Sequence, residues 1–461
     1  MAKYEPLSTS ESSSEPQIKR GSQLKALIII LFFVVFISVW NIIPSYFYLE
    51  DTANNIDQTD QIPIEKTTLA IPTAVQTTSI SSTLSPTSTP VTTPVKEPKP
   101  PMSESGKVIA AYFASWSIYA RAYNVIDIDS DKVTHILYAF ANIKPDGEVF
   151  LGDSWADTDK HFEVSLSIGG WSWSTNFPSV ASKSDSRKKF VTSSIELLKD
   201  LGLDGLDIDW EYPQNEGDAK NYVKLLKELR EALDEYSESQ NHSHKLLLTA
   251  ALPCGEEQYK KMKLKDMNKY LDLFYLMAYD FSGSWSSKAS HQSNLYGSDL
   301  STHKAVDYYI SKGVDEDKIV IGMPMYGRAF QNTNGFGSSY NGVGEGTWEQ
   351  GVYDYKKLPR QNATEHFDEK AIASYSYSAS DREFVTYDNP QVIIHKTDYV
   401  KHNNLRGVMF WELSGDFPTS HERSLLSAAY HGLGGKDAID QTPNHRSFPD
   451  SIYENVRNGF E

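Results

Sequence analysis

The chain has 461 residues, enough for one large domain with extensions. Its formal net charge of −17 excludes the basic face that a nucleic-acid surface requires and favours a neutral or weakly polar partner. Cys254 is the only cysteine, so no intrachain disulfide forms, which says nothing against secretion for a chain able to build a large core.

Residues 1–23 are polar and rich in Ser and Glu, a composition that does not bury a core. From Leu24 to Ile43 the chain runs almost without charge, and about 20 apolar residues span a bilayer. Lys19, Arg20 and Lys25 flank the N-terminal end of that run, while Glu50, Asp51 and Asp57 follow it. The positive-inside rule then predicts a signal anchor, with residues 1–23 cytoplasmic and the remainder outside: a single-pass type II membrane protein. A cleaved signal peptide, hence a secreted protein, is the alternative; it calls for a shorter apolar core and a small-residue cleavage site. Residues 44–105 are dominated by Ser, Thr and Pro from Thr67 onwards, as expected of a glycosylated stalk. Asn241-His242-Ser243 and Asn362-Ala363-Thr364 are sequons farther on, usable only outside the cytosol.

From 106 to about 435 short apolar runs alternate with helical patterns, the mark of parallel βα units. The predicted strands are Val108–Trp116, Thr134–Ile143, Glu163–Gly170, Leu203–Trp210, Lys245–Leu252, Leu271–Tyr279, Lys318–Pro324 and Arg406–Trp411. Phe190, Leu197, Leu198 and Leu201 form one helical stripe that Gly202 ends. Tyr222, Leu225, Leu226, Leu229, Leu233 and Tyr236 form another. Eight strands over this length predict an α/β fold, a (β/α)₈ TIM barrel. An insertion of about 329–382 follows the seventh strand, and 436–461 forms a C-terminal tail. The second βα unit departs from the pattern. The stretch of about 20 residues from Asn142 to Glu163 has the length of a crossover but no amphipathic stripe. Val164, Leu166 and Ile168 face outward on the next strand by alternation and, lacking that helix, are expected to lie uncovered. Some 400–500 Å² of such surface forfeits on the order of 10 kcal/mol.

Along the fourth predicted strand and one residue past its end, alternation puts Asp207, Asp209 and Glu211 on one face, with Leu206, Ile208 and Trp210 behind them. Same-face neighbours sit roughly 7 Å apart, so three carboxyls there do not ionise freely. At least one keeps a proton near neutral pH, as general-acid chemistry requires. A solvated edge strand is the bland reading; the abrupt end at Tyr212-Pro213 and the apolar residues before it argue against that. A divalent-metal site is the other alternative, but no His lies in the motifs at the strand ends. Those ends carry Tyr112 and Trp116, Phe140, Ser167-Ile168-Gly169-Gly170-Trp171, Met277-Ala278-Tyr279-Asp280, Arg328 and Trp411. Singly each is more often core than ligand-binding; together on one rim, aromatic faces beside carboxylates suit sugar rings.

Asp204-x-x-Asp207-x-Asp209-x-Glu211 resembles the DxxDxDxE signature of glycoside hydrolase family 18, which includes many chitinases. Ser167-x-Gly169-Gly170, Met277-x-Tyr279-Asp280 and Trp411 match its other motifs in order, over residues 107–435. The insertion looks like the α+β subdomain of the deep-groove chitinases. The resemblance implies retaining, substrate-assisted hydrolysis of β-1,4 linkages in chitin or chito-oligosaccharides by a monomer that needs neither cofactor nor metal. Glu211 is then the general acid/base, Asp209 orients the substrate acetamide, Asp207 shares a proton with Asp209, and Tyr279 holds the acetamide carbonyl. Trp411 is the floor of the −1 site. Tyr112, Phe140, Gly169, Gly170, Trp171 and Ser172 contact the substrate, as do Tyr212, Met277, Ala278, Asp280 and Arg328. Asp204 is structural. Against close relatives, about thirty residues are absent after the region of Asp157 to His161, and the second barrel helix with them. The rival functions are an endo-β-N-acetylglucosaminidase on N-glycans, a cell-wall transglycosylase, and a chitin-binding lectin. The last is disfavoured because lectin relatives typically lose the acid.

Overall fold

A computed structural model describes residues 106–152, 164–297 and 299–460. The expected cytoplasmic tail, membrane anchor and stalk lie outside the described residues. The strands are β1 (Val108–Ala114), β2 (His135–Ile143), β3 (Val149–Leu151), β4 (Val164–Gly169), β5 (Gly205–Asp209), β6 (Leu247–Pro253) and β7 (Leu273–Met277). They continue as β8 (Ile319–Pro324), β9 (Tyr326–Phe330), β10 (Val352–Asp354), β11 (Thr364–Asp368), β12 (Ala373–Ser378), β13 (Glu383–Tyr387) and β14 (Gly407–Trp411). Strands β1, β2, β4, β5, β6, β7, β8 and β14 pair in parallel in that order, and β14 pairs back to β1. The sheet therefore closes on itself as the expected eight-stranded barrel.

Period-2 alternation sorts the side chains into two layers. Ala110, Tyr112, Leu137, Tyr275, Val320 and Met409 fill the barrel interior. Outward residues of the strands merge with the helices into a second, larger apolar layer. The helices longer than one turn are α1 (Phe177–Ser182), α2 (Ser184–Leu201), α3 (Glu216–Ser239), α4 (Thr302–Ser311), α5 (Pro390–His402) and α6 (Leu425–Leu433). Gly202 ends α2 with φ +64°, a left-handed conformation that costs glycine nothing. Helix α3 starts at Asn215, whose side chain accepts the Asp218 N–H, and its stripe of Tyr222, Leu225, Leu226, Leu229 and Leu233 is fully buried. Tyr222 also donates to the Ile208 carbonyl at 3.1 Å, locking α3 onto the outer face of β5.

Between β2 and β4 the described residues contain no helix, only β3, which turns back antiparallel to β2. The expected bare patch is nevertheless absent, and that expectation is corrected. Val164 is 2% exposed, while Leu166 and Ile168 are 0% exposed. They share one apolar cluster with Phe177, Val180, Phe190 and Leu198 of the next unit's helices. The β2–β3 hairpin docks on α2 as well. Val149 donates its N–H to Ser193 Oγ at 2.9 Å, and Asn176 Nδ2 donates to the Ile143 carbonyl at 2.8 Å. Each of the three side chains thus keeps roughly the 1.5–3 kcal/mol of a buried aliphatic group. Coverage of an outward strand face is not confined to its own unit's helix; here α1 and α2 of the next unit pack against it.

The insertion is wider than 329–382. Strands β9 to β13 run from Tyr326 to Tyr387 and form one antiparallel sheet in the order β10-β9-β13-β12-β11. Its described residues hold no α-helix, only a 3₁₀ turn at Tyr355–Lys357, so the sheet part of the expected α+β subdomain is what is observed. The strand begins early because Tyr326 to Arg328 pair with β10 directly beyond β8. The C-terminal tail folds back onto the barrel. Phe448 is buried, and Ser451 Oγ donates to the Asp200 carbonyl at 2.6 Å. Asp204, read as structural, is the anchor there. It accepts N–H groups from Val164 (3.0 Å) and His445 (2.8 Å) and the Asn444 amide (3.2 Å). Burial pushes its carboxyl up to about 7 against those three donors.

Candidate active site

The acidic strand is seated by its neighbours in register. On β4, Ser167 faces Asp207 and Gly169 faces Asp209; on β6, Thr249 faces Asp207. Two buried carboxyls fit inside the barrel because one neighbour supplies a hydroxyl and the other no side chain at all. Asp207 is completely buried and accepts three hydroxyls: Ser167 at 2.7 Å, Thr249 at 2.8 Å and Tyr112 at 2.9 Å. Burial raises its carboxyl above the usual range while the three bonds oppose the rise.

Asp209 sits one step higher on the same face, and its Oδ1 is buried with no hydrogen-bond partner. Its carboxyl is held well above the usual range, first by burial, then by Glu211, then by Asp207. Glu211 lies two residues past the end of β5, where Trp210 stacks outward on Phe177 at 5.1 Å. Burial lifts Glu211 to about 7, with the charge of Asp280 adding to the rise; the Tyr212 side chain and the Trp171 backbone N–H act the other way. Glu211 therefore carries its proton near neutral pH, beside a carboxyl whose titration is tied to its own. Of the two neighbours of Asp209, Glu211 acts on it more strongly than Asp207.

These groups open into a cavity of about 780 Å³ at the C-terminal end of the barrel. Asp209, Glu211, Tyr112, Phe140, Tyr279 and Trp411 line its floor. Trp411 stacks on Phe140 at 5.7 Å and meets Tyr112 edge-on at 5.0 Å, so its indole is braced from two sides. Trp171, Ser172, Tyr212, Met277, Asp280 and Arg328 line the walls. Trp171 is 77% exposed, a large aromatic face presented to solvent. Arg328 grips Asp280 with two bonds of 2.6 and 2.7 Å, and Tyr326 donates to the same carboxylate at 2.5 Å. Its guanidinium also lies 4.7 Å from the Trp285 ring centroid.

Of the sixteen residues expected in the site, twelve border this cavity. The other four stand behind it. Asp207 underlies Asp209, and Ala278 is buried. Gly169 and Gly170 act through close approach: a Cβ on the first would lie 2.3 Å from the Asp209 carbonyl, and one on the second 2.6 Å from the Phe140 ring.

Several participants escaped the sequence reading. Thr249 lies inside β6 and is recognisable only once its register with Asp207 is known. Buried Ser174, from the 3₁₀ turn before α1, accepts the Glu211 N–H. Arg121 bridges Glu412 (3.0 Å) and Asp354 of the insertion (3.2 Å), and Trp348 donates to Asp354 at 2.9 Å. Nothing local links Glu412, the residue after Trp411, to Arg121, 291 residues away.

The profile described as "Glycosyl hydrolases family 18" matches residues 108–416. Among characterised relatives, "Chitinase 1" of Aphanocladium album is 41% identical over 392 residues, covering 77% of this chain and 92% of the relative. "Sporulation-specific chitinase 2" of Saccharomyces cerevisiae is 31% identical, covering 71% and 78%. Among solved structures, the Group IV chitinase of Ostrinia furnacalis superposes with a TM-score of 0.65 at 28% identity, covering 71% of this chain and 99% of that one. The profile match and the identity to the Aphanocladium protein place the family beyond the motifs alone: this chain belongs to glycoside hydrolase family 18.

Proposed function

We infer that this chain hydrolyses the β-1,4 linkages between N-acetylglucosamine units of chitin, with retention and with the substrate supplying its own nucleophile. The observation that carries the reading is a carboxyl kept protonated to about 7 beside a buried, unpartnered carboxyl oxygen, both lining one cavity with the Trp411 indole. Glu211 gives its proton to the glycosidic oxygen as the C1–O bond breaks. The acetamido carbonyl oxygen of the −1 sugar bonds to C1 on the opposite face, forming a cyclic oxazolinium ion. Glu211, now a carboxylate, takes a proton from water, and the resulting hydroxide opens the ring at C1, restoring the acid and the starting configuration.

Asp209 has the free acceptor that the acetamide N–H requires, and ionised it stabilises the positive ring. Asp207, with three hydroxyl donors of its own, lies beneath Asp209 and helps keep its carboxyl raised. Tyr279 donates to the acetamide carbonyl, and Trp411 supports the sugar face. The antiparallel insertion, which lends Arg328, Trp348, Val352 and Asp354 to the cavity wall, supports the deep-groove subgroup.

Asp209→Asn tests this assignment. The parent is expected to shorten chitin oligomers, and the variant to turn over roughly 10²–10³-fold more slowly, having lost the charge opposite the cationic intermediate. Because the two carboxyls titrate together, removing one of them is expected to move the pH profile. A variant with the parent's rate and profile would remove Asp209 from the chemistry.

The apolar run Leu24–Ile43 and its charged flanks support a membrane anchor with the barrel outside the cytosol. Both sequon asparagines, Asn241 and Asn362, are exposed, as glycosylation requires. Protease added to sealed cells is expected to release the barrel by cutting between residues 44 and 105. Protection of the barrel would reverse the topology, and a soluble form with a new N-terminus near Ser45 would establish the secreted alternative.

A further inference from the structure

Strand β5 ends at Asp209, so Trp210 and Glu211 leave the sheet ladder and the Glu211 N–H needs another acceptor. Ser174 Oγ provides it at 2.8 Å. The same hydroxyl lies 3.0 Å from the Gly170 carbonyl and 3.3 Å from the Asp209 carbonyl, to which its own proton is directed. The Asp209 carbonyl also accepts the Gly170 N–H at 2.8 Å. One buried hydroxyl thus ties the main chain on both sides of Trp210 to the turn after β4. The backbone N–H of the next residue in that turn, Trp171, acts on the Glu211 carboxyl in favour of its ionised form.

We propose that Ser174 is a positioning residue for Glu211, pinning the acid's main chain to the Gly170–Trp171 turn so that the carboxyl stays against the Trp171 N–H and within reach of the scissile oxygen. The inference rests on the reading of Glu211 as the acid. A serine in a 3₁₀ turn commonly caps only its own turn, and the bond to Gly170, four residues back, is of that kind. The bond from Glu211, 37 residues away, is not.

Removing the hydroxyl leaves the Glu211 N–H without a partner and frees the turn to move off the carboxyl. The other groups facing Glu211 remain: Asp209 on β5, Tyr212 beside it, and Tyr279 and Asp280 beyond β7, the last paired with Arg328. The lost Trp171 donor had favoured the carboxylate, so its loss keeps Glu211 protonated to higher pH.

Ser174→Ala and Ser174→Cys in the full chain test the proposal; the second keeps the volume and substitutes a poor acceptor. Each is expected to lower kcat on a chitin hexamer about tenfold or more, with KM within about twofold, and to move the alkaline limb to higher pH. Glu211→Gln is assayed in parallel. If it abolishes turnover while a folded Ser174 variant keeps the parent's kcat and pH profile, the positioning role is overturned and the acid assignment stands. A uniform loss of active protein with a lowered Tm and an unshifted profile also overturns it. If Glu211→Gln retains turnover, the reading of the site fails first.

Discussion

Glu211→Gln is expected to slow chitin-oligomer turnover by roughly 10²–10⁴-fold, because an amide has no proton to give the leaving oxygen. Affinity is expected to change little. The stacking surfaces of Trp411, Phe140 and Trp171 are untouched, and the amide fills nearly the same space. The same substitution is expected to make the protein more stable at neutral pH. In the fold Glu211 titrates at about 7 against a reference of 4.5, so the folded state binds this proton more tightly than the unfolded one. A carboxyl raised in this way costs nothing below about 4.5; its cost grows as pH rises to about 7 and is constant above. At 1.36 kcal/mol per pKa unit the full cost is about 3 kcal/mol. A Tm that rises at pH 7–8 and converges with the parent's below pH 4.5, together with lost turnover and retained binding, is the expected outcome. Loss of binding in a folded variant, or turnover within tenfold of the parent, would count against the role of Glu211.

What was legible in the chain divides along physical lines. Faces set by local period were readable. Asp207 and Asp209 do share the barrel interior, Trp210 does point outward, and the stripe of α3 is buried as the spacing of its leucines requires. The strand-end motifs gather on one rim because a parallel barrel brings every strand's C-terminal end to the same side. Pairings that depend on register between distant segments were not readable. Thr249 reaches Asp207 across 42 residues and Ser174 reaches Glu211 across 37, and neither spacing leaves a local mark. The coverage of Val164, Leu166 and Ile168 was misjudged for the same reason. Which helix covers an outward strand face is a property of the assembled layers, and here Phe177 and Phe190 of the next unit fill it. The proton shared by Asp207 and Asp209 is a family expectation that the geometry weights differently. Asp207 is already met by three hydroxyls, while Glu211 and Asp207 both raise the carboxyl of Asp209.

The central claim is that the sugar attacks itself, and the requirement for its N-acetyl group tests that most directly. No carboxyl in the proposed mechanism bonds to C1; the acetamide oxygen does, oriented by Asp209 and Tyr279. Fully deacetylated and fully acetylated hexamers presented at equal concentration should therefore differ by orders of magnitude in cleavage, since one loses the intramolecular nucleophile and the effective concentration it brings. In partly acetylated chains, every new reducing end released should carry an acetyl group. Both sugars still offer the same ring face to Trp411, so a binding measurement alongside separates lost chemistry from lost affinity. Cleavage confined to bonds with an acetylated −1 sugar is the result predicted. Deacetylated oligomers cut as readily as acetylated ones would contradict the mechanism outright, and a carboxylate nucleophile would have to be sought among Asp207, Asp209 and Asp280.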